Sequence, residues 1–224
     1  MKRIYLPAVI ALSSLLFSAC NDSAPKGDNA SITDKQEPAA SISGSTFVVD
    51  TTASSIRFTG HGVGKNHPGK FRLSSGTVTV ANNQVAGGTF VINIRSMDLE
   101  QKGGMFDQKL HPHLMSGDFF DADKFGDARF EITKVAPYSR NGSDTSVIDG
   151  ANLSISGNLT IKDVTKNITF PARVDLDDQT LKAKGNFDID RRQWNMNYGN
   201  DKSLGNSFIS ERVNIELDLQ ARRQ

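Results

Sequence analysis

The sequence predicts an all-β fold, an eight-stranded antiparallel barrel with a short helical and aromatic insertion around residues 103–125. From Phe47 onward, apolar and polar residues alternate with a period of two, which is typical of strands that bury one face. Turn-forming pairs separate these runs, namely Asn82-Asn83, Asn141-Gly142 and Asp177-Asp178. Because an antiparallel set of this length protects its edges best by closing on itself, we expect a barrel rather than an open sheet.

The beginning of the chain has the features of an export signal. Lys2 and Arg3 precede an apolar stretch from residue 4 to 17, and small residues lead to Cys20. Cys20 is the single cysteine, so it cannot form an internal disulfide, and its position after Ser-Ala resembles the lipobox of bacterial lipoproteins. We expect residues 1–19 to be a lipoprotein signal peptide and Cys20 to be lipidated; the alternative is an ordinary signal peptide cut near a cysteine.

The segment that follows predicts a tethered protein facing the periplasm of a bacterial envelope. Asn21 stands where an aspartate would resemble an inner-membrane retention signal, so the sequence favours the outer membrane. Residues 20–45 are polar and cannot bury enough apolar surface to fold. We therefore expect a flexible tether that spans roughly 25–30 Å, followed by a barrel domain over residues 46–224.

Four runs in the second half of the chain alternate most clearly. Their apolar members are Leu153, Ile155, Leu159 and Ile161; Ile168, Phe170 and Val174; Leu181, Phe187 and Ile189; and Val213, Ile215, Leu217 and Leu219. The same inward register contains four small residues, Gly157, Ala172, Ala183 and Gly185. These either leave room in an apolar lumen or accommodate neighbouring rings and barrel corners, and the alternation alone does not decide between the two.

The stretch over residues 109–133 mixes aromatic, acidic and histidine residues most densely. Phe119, Phe120 and Phe125 are too many large apolar groups for a solvated loop, since each gains about 1.5–3 kcal/mol on full burial. We interpret the stretch as a short helix and an aromatic plug, followed by a strand that begins near Arg129.

This stretch resembles the central signature of the YceI-like family. The matching residues are Lys109-Leu110-His111-x-His113-Leu114, Ser116-x-Asp118-Phe119-Phe120-Asp121 and Lys124-Phe125-x-x-Ala128-x-Phe130. Further matches are Gly87-Gly88-x-Phe90, Gly157-Asn158-Leu159-Thr160-Ile161, Val164-Thr165-Lys166, Asp190-Arg191 and Tyr198-Gly199, so the resemblance covers roughly residues 46–220.

The YceI-like family consists of lipocalin-like bacterial barrels that bind polyisoprenoid lipids. The resemblance therefore implies a non-enzymatic protein without a cofactor. It would hold an isoprenoid-type lipid, a polyisoprenoid or an isoprenoid quinone, in the lumen as an envelope-tethered carrier or buffer. It also favours an open lumen over a filled one.

With that expectation, the inward register predicts the residues that contact the ligand. They are Phe58, Phe90, Phe130, Leu159, Phe170 and Phe187 in the lumen, with Arg191 and Trp194 near an opening. A guanidinium beside an aromatic ring suits a phosphate or quinone head group. The alternative for residues 190–194 is a salt-bridged turn with a packed tryptophan.

Other kinds of chemistry have weaker support. Without Lys2 and Arg3 the chain would carry 24 basic and 25 acidic residues, which argues against nucleic acid as a partner. The four histidines, His61, His67, His111 and His113, suggest a metal-binding or enzymatic barrel as an alternative, although their spacing matches no closed metal site and favours surface or capping roles. The sequence contains none of the common hydrolase, phosphate-loop or zinc-protease motifs. A filled structural barrel is the third alternative.

Overall fold

The computed structural model describes residues 25–38, 43–139 and 146–224. The expected signal peptide, Cys20 and the Asn141-Gly142 turn lie outside these ranges. Within them, no helix combines the length and the apolar character that a bilayer crossing needs.

Strands dominate the described ranges. They are β1 Asp28–Asn29, β2 Ser31–Asp34, β3 Ser45–Val49, β4 Ser55–Gly62, β5 Lys65–Ala81, β6 Gln84–Leu99, β7 Asp127–Pro137, β8 Leu153–Ile161, β9 Val164–Leu176, β10 Thr180–Asp190 and β11 Ile209–Arg223. The helical segments are a π-helical turn Phe106–Leu110, helix α1 His111–Met115 and two 3-10 turns, Arg191–Trp194 and Lys202–Ser207.

These strands close into a barrel with eight wall positions, which confirms the predicted fold class. β3 and β4 share one position, because each pairs antiparallel with β5 on one side and β11 on the other. From β5 to β10 each strand pairs with the next one in the chain, and β10 pairs with β11 to complete the circle. The apolar sides of the wall strands β3 to β11 therefore face the same interior.

The predicted turn at Asn82-Asn83 is confirmed. Both residues have positive φ, 50° and 59°, and they connect β5 directly to β6. Asparagine tolerates this left-handed backbone, which two-residue hairpin turns require. Asp177 forms the turn between β9 and β10, where its carboxylate accepts hydrogen bonds from the N–H groups of Gln179 and Thr180.

The predicted insertion lies between β6 and β7 and packs on one end of the barrel. The π-helical turn and α1 carry Leu110 and Leu114 onto the hydrophobic core, and the turns that follow bring Phe119 and Phe120. Phe119 is only 5% exposed and Phe120 packs against the core, so these two rings form the predicted aromatic plug. Phe125 is half-buried and does not belong to the core cluster. The next strand begins at Asp127, close to the predicted start near Arg129.

Part of the expected flexible tether is structured, which corrects that expectation for residues 28–34. β9 and β10 pair only as far as Ala172 and Gly185, and then diverge. β1 pairs in parallel with β10, and β2 pairs antiparallel with β9, so this segment occupies the gap between them. The polar composition did not reveal this pairing, because strand edges recruit main-chain groups whatever the side chains are.

Candidate functional site

The interior of the barrel contains an apolar cavity of about 320 Å³. This volume falls within the range of about 300–1,000 Å³ that small-molecule sites occupy. Side chains from β3 to β11 and from the insertion line it. The cavity exists because alternating strands from all sides turn their apolar faces inward without filling the centre.

Seven of the eight predicted contact residues line the cavity. They are Phe58, Phe90, Phe130, Leu159, Phe170, Phe187 and Arg191. Trp194 does not, which corrects its predicted place near an opening. It is completely buried, and its indole Nε1 donates a hydrogen bond to the Leu159 carbonyl at 3.0 Å. The 3-10 turn that follows β10 packs this ring into the core rather than at the cavity surface.

Phenylalanine rings form a continuous strip along one side of the cavity. Phe170 stacks on Phe187 with ring centroids 4.0 Å apart, and Phe130 lies 6.0 Å from Phe170. Phe90 extends the strip beyond Phe130 at 6.2 Å. These rings come from β6, β7, β9 and β10, so the strip also holds neighbouring strands together.

The four small inward residues do two different things. Ala172, Ala183 and Gly185 line the cavity, so they provide room. Gly157 accommodates a ring instead, because a Cβ atom at this position would lie 2.3 Å from the Phe130 Cζ atom. Both interpretations that the alternation left open are therefore realised, at different positions.

Polar residues line the cavity near one end of the barrel, namely His61, His67, His113, Arg191 and Ser210. The His61 side chain lies on the outer face of the β4–β5 hairpin, because His61 pairs with Asn66 whereas His67 pairs with Gly60 on the lumen face. Contacts between three segments bring these residues to the same end. Gly62 of β4 pairs with Ile209 of β11, and the Ile209 N–H donates a hydrogen bond to the Gly199 carbonyl. The ring of the adjacent Tyr198 packs on the His113 ring, with centroids 4.5 Å apart. We call this end, defined by His61, His67 and His113, the histidine end.

Arg191 is committed to the protein. Its guanidinium donates hydrogen bonds to the carbonyls of Ser210, Met196, Tyr198 and Ile209. The side chain is 2% exposed, and burial lowers the pKa of its guanidinium. It lies 5.6 Å from the Phe119 ring centroid. Arg191 therefore fixes the chain between β10 and β11 and offers little hydrogen-bonding capacity to a ligand.

The neighbouring residues form the salt-bridged turn that was the alternative interpretation. Asp190 accepts hydrogen bonds from the Arg192 N–H at 3.0 Å and from the Arg192 Nη2 at 2.7 Å. The Arg192 side chain is 42% exposed, and its ion pair with Asp190 closes the 3-10 turn.

The three cavity histidines each bind a protein oxygen through one ring nitrogen. His61 Nδ1 lies 2.7 Å from Asn66 Oδ1, and His67 Nδ1 lies 2.9 Å from Gln101 Oε1. His113 Nε2 lies 2.9 Å from Asp118 Oδ2. These side-chain oxygens orient the rings in the way that neighbouring acceptors set imidazole tautomers generally.

Sequence reasoning assigned these histidines to surface or capping roles, whereas the structure places the rings of two of them, His67 and His113, on the cavity. The signal was weak, because His61 and His67 lie in a glycine-rich hairpin whose path the sequence does not specify. His111 does not belong to the cavity lining, and its Nε2 atom lies 3.3 Å from the Met97 carbonyl oxygen. In the described ranges no three His, Cys, Asp or Glu side chains are placed to hold one metal ion.

Comparisons with known proteins agree with this architecture. A family model described as the YceI-like domain matches residues 47–221. A UPF0312 protein of Vibrio vulnificus is 33% identical over 131 residues, and one of Vibrio parahaemolyticus is 30% identical over 129 residues. Each alignment covers 56% of this chain and 61% of the relative, so the chain spans about three fifths of the length of these curated relatives.

Solved structures show the same fold at low sequence identity. Burkholderia cenocepacia BcnA has a TM-score of 0.59 at 22% identity and covers 77% of this chain and 98% of its own. A polyisoprenoid binding domain from Saccharophagus degradans, implicated in plant cell wall breakdown, has a TM-score of 0.58 at 15% identity and covers 80% and 98%. A Campylobacter jejuni YceI protein has a TM-score of 0.50 at 20% identity and covers 70% and 84%.

Proposed function

The chain belongs to the YceI-like family, and from that premise we propose that it binds a long apolar lipid of the polyisoprenoid or isoprenoid-quinone type inside the barrel. The protein would act as a carrier or buffer of that lipid in the bacterial envelope. No catalytic step is required, because burial of the lipid chain is itself the function.

The observation that carries the proposal is the composition of the cavity surface. Its walls are almost entirely aliphatic and aromatic, and among the described lining residues the polar ones lie near the histidine end. An isoprenoid chain matches such a surface, since each buried methylene contributes about 0.8 kcal/mol before the ordering cost of the ligand is subtracted. The structural neighbour from Saccharophagus degradans, a polyisoprenoid binding domain, supports the same ligand class.

Attachment to a membrane is a separate part of the proposal. We infer that residues 1–19 direct export and that a lipid on Cys20 tethers the barrel, with the outer membrane favoured. The support is the sequence pattern alone. Mass spectrometry of the mature N-terminus tests it: a diacyl or triacyl modification on Cys20 supports the tether, and an unmodified N-terminus after cleavage elsewhere contradicts it.

Native mass spectrometry of the exported protein tests the binding function. We expect a hydrophobic adduct on the protein as purified, or after incubation with an isoprenoid alcohol or quinone, and extraction identifies its class. A mass that stays bare after incubation with these lipids, in protein that circular dichroism shows to be folded, contradicts the proposal.

A further inference from the structure

The histidine end specifies what kind of polar head group the cavity accepts. We propose that His67 and His113 form a head-group site that selects an uncharged, hydroxyl-bearing head, such as that of an isoprenoid alcohol or a quinol, over an oxidised quinone or a phosphate. This inference rests on the proposed function and deepens it. It depends on the hydrogen bonds of the rings and on the charges near the cavity.

The hydrogen bonds determine where each imidazole carries its proton. Gln101 Oε1 is an acceptor, so in the proposed site the His67 Nδ1 atom that faces it carries the proton. His113 Nε2 is protonated in the same way by facing the Asp118 carboxylate. In a neutral ring the other nitrogen is then an acceptor.

These second nitrogens have no hydrogen-bond partner among the described parts of the chain. His67 and His113 are half-buried and line the cavity, so the proposed site uses their second nitrogens as acceptors for a ligand in the cavity. A hydroxyl head can donate to them, whereas the carbonyl oxygens of an oxidised quinone are acceptors and would be left unpaired. Leaving a buried polar group unpaired costs more binding free energy than a formed hydrogen bond contributes. The site should therefore discriminate strongly between two ligands that differ only in this head-group atom.

The charges near this end argue against an anionic head. Neither lysine nor carboxylate side chains occur among the described residues that line the cavity. Arg191 is the cation in the lining, and four main-chain carbonyls already occupy its guanidinium. Asp118 places negative charge beside His113, which opposes a phosphate further. Ser210 can both donate and accept, so it does not discriminate between the heads.

Four ligands that share one tail separate the contribution of the head group to the affinity from that of the tail. They are geranylgeraniol, geranylgeranyl phosphate, and the naphthoquinone and naphthoquinol that carry the geranylgeranyl chain. At about pH 8, where an ordinary imidazole is neutral, the full-length protein should bind the alcohol and the naphthoquinol about tenfold more tightly than the naphthoquinone and the phosphate. Of geranylgeraniol and the naphthoquinol, the ligand with the lower Kd shows whether the preferred head is that of an isoprenoid alcohol or that of a quinol.

Matched variants locate the selectivity. The double variant His67→Phe/His113→Phe keeps aromatic rings against Phe106, Phe119 and Tyr198 but removes two acceptors. Its preference for hydroxyl heads should fall from about tenfold to about onefold, since the paired hydrogen bonds are lost. The control His111→Phe changes a ring outside the lining and should keep the wild-type ratio.

The outcomes are distinct. Equal affinities for all four ligands in the wild-type protein, tightest binding of the phosphate or the naphthoquinone, or an unchanged ratio in the double variant would each overturn the head-group site while the lipid-binding function stands. Failure of all four ligands to bind would overturn the lipid-binding function and the head-group site together. The wild-type ratio is decisive even if the double variant does not fold.

Discussion

Replacing Gly185 by leucine tests whether the barrel interior is open space that a lipid occupies. Gly185 lies on β10 and lines the cavity, and a Cβ atom added to it would meet the nearest ring, that of Phe170, at 3.4 Å, an ordinary contact distance. The leucine side chain would therefore extend into the cavity. Lys184→Leu is the matched control, because this neighbour is exposed on the opposite face and its 3.5 Å ion pair with Asp218 contributes little.

The two properties of Gly185→Leu should change in opposite directions. A leucine that displaces about four methylene groups of ligand removes about 3 kcal/mol of binding free energy, or about 200-fold in Kd. In the ligand-free protein the same side chain buries apolar surface in empty space, so the free energy of unfolding should rise by about 1–2 kcal/mol. Lys184→Leu should leave the Kd unchanged.

Titration with geranylgeraniol followed by native mass spectrometry gives the Kd, and urea unfolding of delipidated protein gives the stability. If the interior is in fact filled, the added side chain is overpacked and lowers the free energy of unfolding by about 1–3 kcal/mol. That loss of stability, together with an unchanged Kd, would refute the assignment of the lumen as the binding site.

Three other changes separate binding from folding. Trp194→Ala should lower the free energy of unfolding by about 3–5 kcal/mol, because the ring is fully buried, yet leave the Kd of the folded protein unchanged; a large loss of affinity would place this ring at the site after all. Asn158→Ala should remove the two hydrogen bonds, 3.0 and 2.7 Å long, that hold the main chain of Gln36. Amide hydrogen exchange in β2 should then become faster while the amides of β8 stay protected. Unchanged exchange in β2 would mean that strand pairing alone holds β2 in place. A hydrogen bond from the Thr180 hydroxyl lowers the pKa of Asp177. The ionised carboxylate therefore stabilises the turn fully at pH values above the ordinary carboxyl pKa of 3.8, and this stabilisation is lost as the pH falls through the lower pKa of the folded protein. Asp177→Asn should therefore unfold less steeply with acid than the wild-type protein in denaturant titrations at a series of pH values, and identical slopes would contradict that role.

The fold could be predicted because each strand repeats its pattern independently. In β8 and β10 the alternation alone identifies inward residues such as Leu159 and Phe187, and the cavity lining contains both. Successive side chains of a strand point to opposite faces, so the order of residues within the strand assigns each side chain to a face without knowledge of distant neighbours. The Asn82-Asn83 turn is local in the same sense.

The polar part of the site could not be predicted, because it depends on contacts between distant segments. His67 meets Gln101 across the β5–β6 pair, and His113 reaches Tyr198 from a separate insertion. Trp194 was misplaced for a related reason: a single 3-10 turn decides whether the ring faces the cavity or the core. The pairing of β1 and β2 depends on a gap between β9 and β10 that no local pattern records.

β11 joins residues that are far apart in the chain, since Ala221 pairs with Val49 and Leu217 pairs with Ile56. A nascent chain that still lacks residues 209–223 has exposed edges on β10 and on β3 and β4, and its interior is open along one side. Such edges and apolar faces invite wrong partners during slow, long-range pairing. A lipid of the proposed kind could be retained only once β11 is in place, so its loading would follow completion of the barrel during biosynthesis. Whatever accompanies the unfinished chain would have to shield these edges.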